Sequence, residues 1–159
     1  MDKDTKECGG SCCKKGDGCS KSTGSCCKKD EDASPANNSE LNEWPIQLQL
    51  IDTKAEHFKE ADLVISADCA PFAFADFHKR FLKGKKLISL CPKLATSHEL
   101  YVNKLEELFK EQSIRTVTLI RMEDDCCGDI ESIAEEALNR SGVNVLIKEY
   151  VISANGEIV

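Results

Sequence analysis

From about residue 46 onward, apolar and polar positions alternate between two periods, one of strands and one of helices. IQLQLI, Ile46 to Ile51, alternates apolar with polar residues as a half-buried strand does. ADLVISA, Ala61 to Ala67, and KKLISL, Lys85 to Leu90, are apolar runs bounded by Gly, Pro or charge, which suits strands covered on both faces. RTVTLIRM, Arg115 to Met122, and VNVLIKEYVI, Val143 to Ile152, complete a set of about five strands. In the final SANGEIV, Asn155-Gly156 is a hairpin-turn pair that folds the last residues back as a short edge strand.

Helical spacings fill the gaps. Phe72 to Leu82 places Phe74, Phe77, Phe81 and Leu82 on one stripe and stops at Gly84. Glu99 to Gln112 carries Leu100, Leu105, Leu108 and Phe109, with Thr96 and Glu99 spaced as a capping box. Asp129 to Ser141 carries Ile130, Ile133, Ala134, Ala137 and Leu138 and stops at Gly142. Strands alternating with helices across short connections predict an α/β fold in three layers, a mostly parallel sheet with helices on both faces.

The first 39 residues behave differently. Up to about Asn38 there is no Val, Leu, Ile, Phe, Tyr or Trp, so the segment has nothing with which to build a core. GSCCKK occurs twice in it, at Gly10 to Lys15 and at Gly24 to Lys29, and DEDASPANNSE reads as a linker. The expected organisation is a flexible, cysteine-rich tail over 1–39 and an α/β domain over 40–159.

Charge and composition narrow the chemistry. The net charge of −7 disfavours a nucleic-acid partner, which rewards a basic face. The tail balances seven lysines against seven acids, so the excess acidity belongs to the body. No apolar run approaches the roughly 18 residues of a membrane span, and MDKDTKECGG lacks the apolar centre of a signal peptide. A cytoplasmic, membrane-free address is expected. Thiols stay reduced there, so ten cysteines point to metal or redox chemistry rather than to structural disulfides.

The body's four cysteines fall at equivalent places. Cys69 follows the strand ending at Ala67, Cys91 follows Leu90, and Cys126-Cys127 follow the strand ending near Met122. A parallel sheet gathers the carboxyl ends of its strands along one edge, where open α/β folds bind ligands, so three loops are expected to bring four thiols into one crevice. A thiolate-ligated metal or cluster follows, with hydrogen bonds from nearby helix starts favouring the anionic sulfurs. Adjacent Cys126 and Cys127 have diverging side chains, so one can ligate while the other lies behind it or exchanges thiols. Glu123, Asp124 and Asp125 read as a solvated acidic loop, and no Ser-His-Asp set or phosphate loop stands out.

WPIQLQLI, ADLVISADCAPFAFADFHKRFLKGKKLISLCPK, VTLIRMEDDCCG and ISANGEIV together resemble the C-terminal domain attached to ferredoxin-like 4Fe-4S iron-sulfur proteins of anaerobic microbes. The resemblance spans Trp44 to Val159, and Cys69, Cys91, Cys126 and Cys127 match that family's cysteines. It implies an iron-sulfur-associated, electron-transferring protein, with a 4Fe-4S or 2Fe-2S cluster and an unidentified redox partner protein expected; whether it is an enzyme is left open, with a non-enzymatic electron-transfer or metal-binding role favoured. The tail departs from that family's two-cluster module: Cys8, Cys12, Cys13, Cys19, Cys26 and Cys27 do not follow the C-x2-C-x2-C-x3-C-P spacing. Their soft thiols, offset by lysines, suit zinc or another soft metal instead. Two further functions fit the residues: a metal or cluster carrier that loads through the tail, and a thiol-disulfide protein using Cys126-Cys127, which lacks a C-x-x-C motif.

Overall fold

The computed structural model describes residues 38–95 and 97–159. Residues 1–37 of the expected tail, with its six cysteines and most of the linker, lie outside the described residues, as does Thr96 of the expected capping box.

Four strands form one parallel sheet: β1 (Asp62–Ala67), β2 (Lys86–Leu90), β3 (Thr116–Met122) and β4 (Leu146–Ile152), in the order β2-β1-β3-β4. Each begins one to three residues later than its hydrophobic run. The pairing runs Leu63 beside Lys86 and Val117, and Val117 beside Ile147, so the four carboxyl ends finish level. β1 and β3 are buried on both faces, as their unbroken apolar runs require; Leu63, Ile65, Leu119 and Ile120 are almost fully enclosed.

The chain leaves β1 toward β2, then reverses and steps through β3 to β4. Right-handed crossovers put the first connection on one face of the sheet and the later two on the other, giving the three expected layers. α2 (His98–Glu111) and α3 (Asp129–Ser141) share one face. The two helices pack together and bury Val102, Leu105, Ile133, Ala134 and Ala137 in the common core; Arg140 of α3 ties them outside through Glu99 of α2 at 2.6 Å, and pairs with Glu136 of its own helix at 2.6 Å. α3 buries the stripe its sequence predicts, and the left-handed conformation at Gly142 (φ 69°) ends it. In α2 the buried stripe is Tyr101, Val102, Leu105, Leu108 and Phe109, whereas Leu100 is exposed.

Three expectations are corrected. The single helix over Phe72 to Leu82 is two short pieces, a one-turn α1 (Ala70–Ala73) and a π-type turn His78–Leu82, separated by Phe74 in extended conformation. Pro71 starts α1, and Phe72 points into solvent; Phe77, Phe81 and Leu82 still reach the core, the Phe81 ring lying 5.1 Å from that of Tyr150 on β4. The expected first strand, Ile46 to Ile51, pairs with β2 only at Gln47 beside Ser89. The amides of Leu50 and Ile51 then turn back to the Gln47 carbonyl, because Leu48 and Ile51 are buried three positions apart, the spacing of a turn. The expected C-terminal edge strand is one antiparallel bridge, Ile152 with Ile158, closed around Gly156 at φ 80°. The sheet therefore has four strands among the described residues, against about five expected.

Candidate functional site

The loops after β1, β2 and β3 open on the same rim. β1 and β2 are tied at their ends by the Asp68 amide donating to the Leu90 carbonyl at 3.1 Å. The Asp68 carboxylate accepts from Gln47 Nε2 at 2.8 Å and from the Ser89 hydroxyl, which fixes the residue preceding Cys69. The Cys69 carbonyl then accepts from the amides of Phe72 and Ala73, forming α1 and leaving the thiol exposed. A groove lined by Ile46, Asp68, Pro71, Phe72, Phe77 and Ser89, about 380 Å³ in volume, opens beside it.

Cys91, half-buried, precedes a 3₁₀ turn, Pro92–Leu94. Its carbonyl accepts from the Leu94 amide at 3.2 Å and from the Tyr101 hydroxyl at 3.4 Å, so α2 holds this loop in place. The third loop is anchored twice to the end of β4, through the Glu123 amide to the Ile152 carbonyl and the Ala154 amide to the Glu123 carboxylate. Asp124 then caps a 3₁₀ turn, Asp125–Cys127, by accepting from the Cys126 amide at 2.9 Å. That turn lies beside Pro92–Leu94, bringing the second and third loops together. Cys127 is buried at 2% exposure, and its sulfur stands 3.6 Å from that of half-buried Cys126.

The electrostatics report the same convergence. The Cys69 thiol is pushed up by desolvation first, and then by Cys127, Cys91, Asp68 and Asp124, groups from all three loops. Cys126 is pushed up to about 12, chiefly by its hydrogen bond to Asp124 and next by the one to Cys127. The Cys126 loop in turn holds Asp124 below the usual carboxylate range. Thiols and carboxylates thus crowd one rim with no cationic side chain among the causes of these shifts. Such a rim favours the protonated forms of Cys69 and Cys126, and a cation joining it would relieve the repulsion.

Sequence reasoning placed all four cysteines at strand ends, and the structure brings their loops together. It passed over Asp68, whose role depends on Gln47 and Ser89 and has no local signature. It read Asp124 as solvated surface; an Asp two residues before the Cys126 amide is a recognisable capping pattern. The dipole of α1 adds little at Cys69, because that helix is a single turn.

A Rossmann-like domain model matches residues 55–159. The chain belongs to the Rossmann-like domain family. An uncharacterized protein of Archaeoglobus fulgidus is similar to it, 25% identical over 119 residues that cover 75% of this chain and 83% of that one. No solved structure matches the chain. Within this Rossmann-like fold, Cys69 and the Cys126-Cys127 doublet flank the reversal of strand order between β1 and β3, the position where such sheets bind ligands. The first β-to-α turn reads Ala67-Asp68-Cys69-Ala70-Pro71, so a thiol and a carboxylate stand where a dinucleotide site places glycines against pyrophosphate. Among the described residues, no three His, Cys, Asp or Glu side chains meet as ligands of one ion.

Proposed function

We propose that the protein is a thiolate-ligated iron-sulfur protein that transfers electrons in the cytoplasm, with Cys69, Cys91, Cys126 and Cys127 as the residues that hold the cluster. One observation carries the reading: the three loops that bear these thiols open on one rim of the sheet, close enough that Cys127 and Cys91, after desolvation, raise the proton affinity of Cys69. A cationic iron-sulfur core relieves that repulsion and accepts soft ligands. When bound, it supplies a one-electron redox couple. The protein's own residues position it: Tyr101 holds the Cys91 loop, Asp68 the Cys69 loop, and Asp124 the doublet. The exposed side of Cys69 is where a redox partner protein comes closest to the centre. The likeness of the sequence to iron-sulfur-associated domains supports the same chemistry, whereas a Rossmann-like fold by itself carries none.

A second reading, a metal or cluster carrier, is favoured by the exposure of Cys69, which suits exchange. The thiol-disulfide reading fares worse, since a thiol pushed up to about 12 supplies almost no thiolate nucleophile near neutral pH.

Anaerobic purification of the full chain tests the proposal. A brown protein with iron and acid-labile sulfide, bleached by dithionite and giving a paramagnetic signal in one of its redox states, is expected. A colourless protein with stoichiometric zinc overturns it.

A further inference from the structure

The doublet has a geometry of its own. Successive side chains along an extended chain diverge, yet the 3₁₀ turn that Asp124 caps folds Cys126 and Cys127 so that their sulfurs stand 3.6 Å apart. With metal-sulfur bonds of about 2.3 Å, that gap corresponds to an S–M–S angle of about 100° at one shared atom. A linear two-coordinate centre would hold its sulfurs about 4.6 Å apart, and a disulfide about 2 Å, so neither matches the resting pair. The matching class is a bent, thiophilic centre, either a pyramidal trivalent metalloid or one edge of a tetrahedral soft cation.

We infer that in the cluster-free protein Cys126 and Cys127 act as a two-sulfur chelate for one bent, thiophilic centre of the trivalent-metalloid type. This does not rest on the iron-sulfur reading, because it concerns two sulfurs on one turn and needs neither Cys69 nor Cys91. Half-buried Cys126 gives the entry, and buried Cys127 supplies the second bond away from water. The reaction with an organoarsenic(III) oxide needs no oxidant: two As–S bonds form, the As–O bonding is lost, and the oxygen departs as water with the two thiol protons. The carboxylate of Asp124, which accepts from the Cys126 amide at 2.9 Å, lies beside the doublet and favours the bound centre if cationic.

The test uses full-length protein with Cys8, Cys12, Cys13, Cys19, Cys26 and Cys27 all replaced by serine, kept free of iron, and titrated with phenylarsine oxide. One equivalent is expected to consume two thiols, to resist 2-mercaptoethanol and to be released by dimercaptopropanol. Cys126→Ser removes one arm of the chelate and is expected to weaken binding about 100-fold or more. Cys69→Ser and Cys91→Ser are expected to leave the affinity within a few-fold. Because buried Cys127 carries more risk to folding, Cys126→Ser with unchanged circular dichroism is the deciding variant. Unchanged affinity in Cys126→Ser, an equal loss in Cys69→Ser, or release by the monothiol overturns the inference. A chain that binds the arsenical but never takes up iron and sulfide refutes the cluster proposal alone; a chain that assembles a cluster but fails this titration refutes the chelate alone.

Discussion

The middle of the sheet and its carboxyl rim are made of opposite materials. In the strands, Leu63, Ile65, Leu119 and Ile120 leave almost no surface to water, and no buried side-chain polar atom of the described residues lacks a partner. A few residues further on, the same strands end in thiols, carboxylates and exposed apolar groups such as Phe72 at 92% and Leu94 at 79% exposure. The middle is closed by hydrophobic burial and tolerates little change. The rim is held by single hydrogen bonds from Gln47, Ser89, Tyr101 and backbone amides, each worth only about 1 kcal/mol net. Stability and chemistry are thus carried by different residues of one chain, so mutations should separate them.

The largest stability effect belongs to the middle. Leu119→Ala removes a buried side chain from β3 and is expected to cost ~3 kcal/mol in denaturant unfolding, with the folded fraction keeping its thiol chemistry. Next comes Glu43, buried outside the sheet, whose carboxylate accepts from the Leu87 amide at 2.7 Å and pairs with Lys86 at 3.2 Å. Glu43→Ala leaves that amide without its partner and is expected to cost about 2 kcal/mol by the same measurement. Gly156 sits nearer the rim, at φ 80° with the Ala73 carbonyl oxygen 2.4 Å from where a Cβ would stand. Gly156→Ala is expected to cost ~1–2 kcal/mol and to disturb α1, read as altered reactivity of Cys69.

Cys126→Ser sharpens the contrast from the other side. It is expected to leave denaturant unfolding nearly unchanged while removing one thiol of the doublet. In the parent protein the raised proton affinity of Cys126 has a definite sign. Its folded form keeps the proton above the point, near 9, where the unfolded thiol loses it, so its contribution to stability is present below pH 9 and is lost as pH rises toward about 12. Alkylation of Cys126 by iodoacetamide is accordingly expected to stay slow up to about pH 9 and to accelerate toward pH 12, with Asp124→Asn moving that rise to lower pH.

The sequence alone exposed the parts that repeat a local rule. β1, β2, β3 and β4 were readable because their apolar runs exceed what a turn can bury, and α3 because its stripe is capped by a glycine in the left-handed region. The shared rim of Cys69, Cys91, Cys126 and Cys127 followed from parallel strands alone. What escaped reading depends on distant partners. Ile46 to Ile51 alternates like a strand, but only Gln47 finds an edge to pair with, and the burial of Leu48 and Ile51 together selects a turn. Phe72 fits a helical stripe in letters, yet the break at Phe74 sends it outward, and no Gly or Pro marks that break. Asp68 acquires its place only through Gln47 and Ser89, which are 21 residues away on either side.

The most direct test is iron and acid-labile sulfide per chain, measured anaerobically on two full-length variants. One replaces Cys69, Cys91, Cys126 and Cys127 by serine; the other replaces the six cysteines before residue 28. If the rim is the cluster site, the first variant loses its cluster iron and sulfide and the second keeps the complement that belongs to the body. Full cluster content in the first variant, or none in the second, would contradict the account.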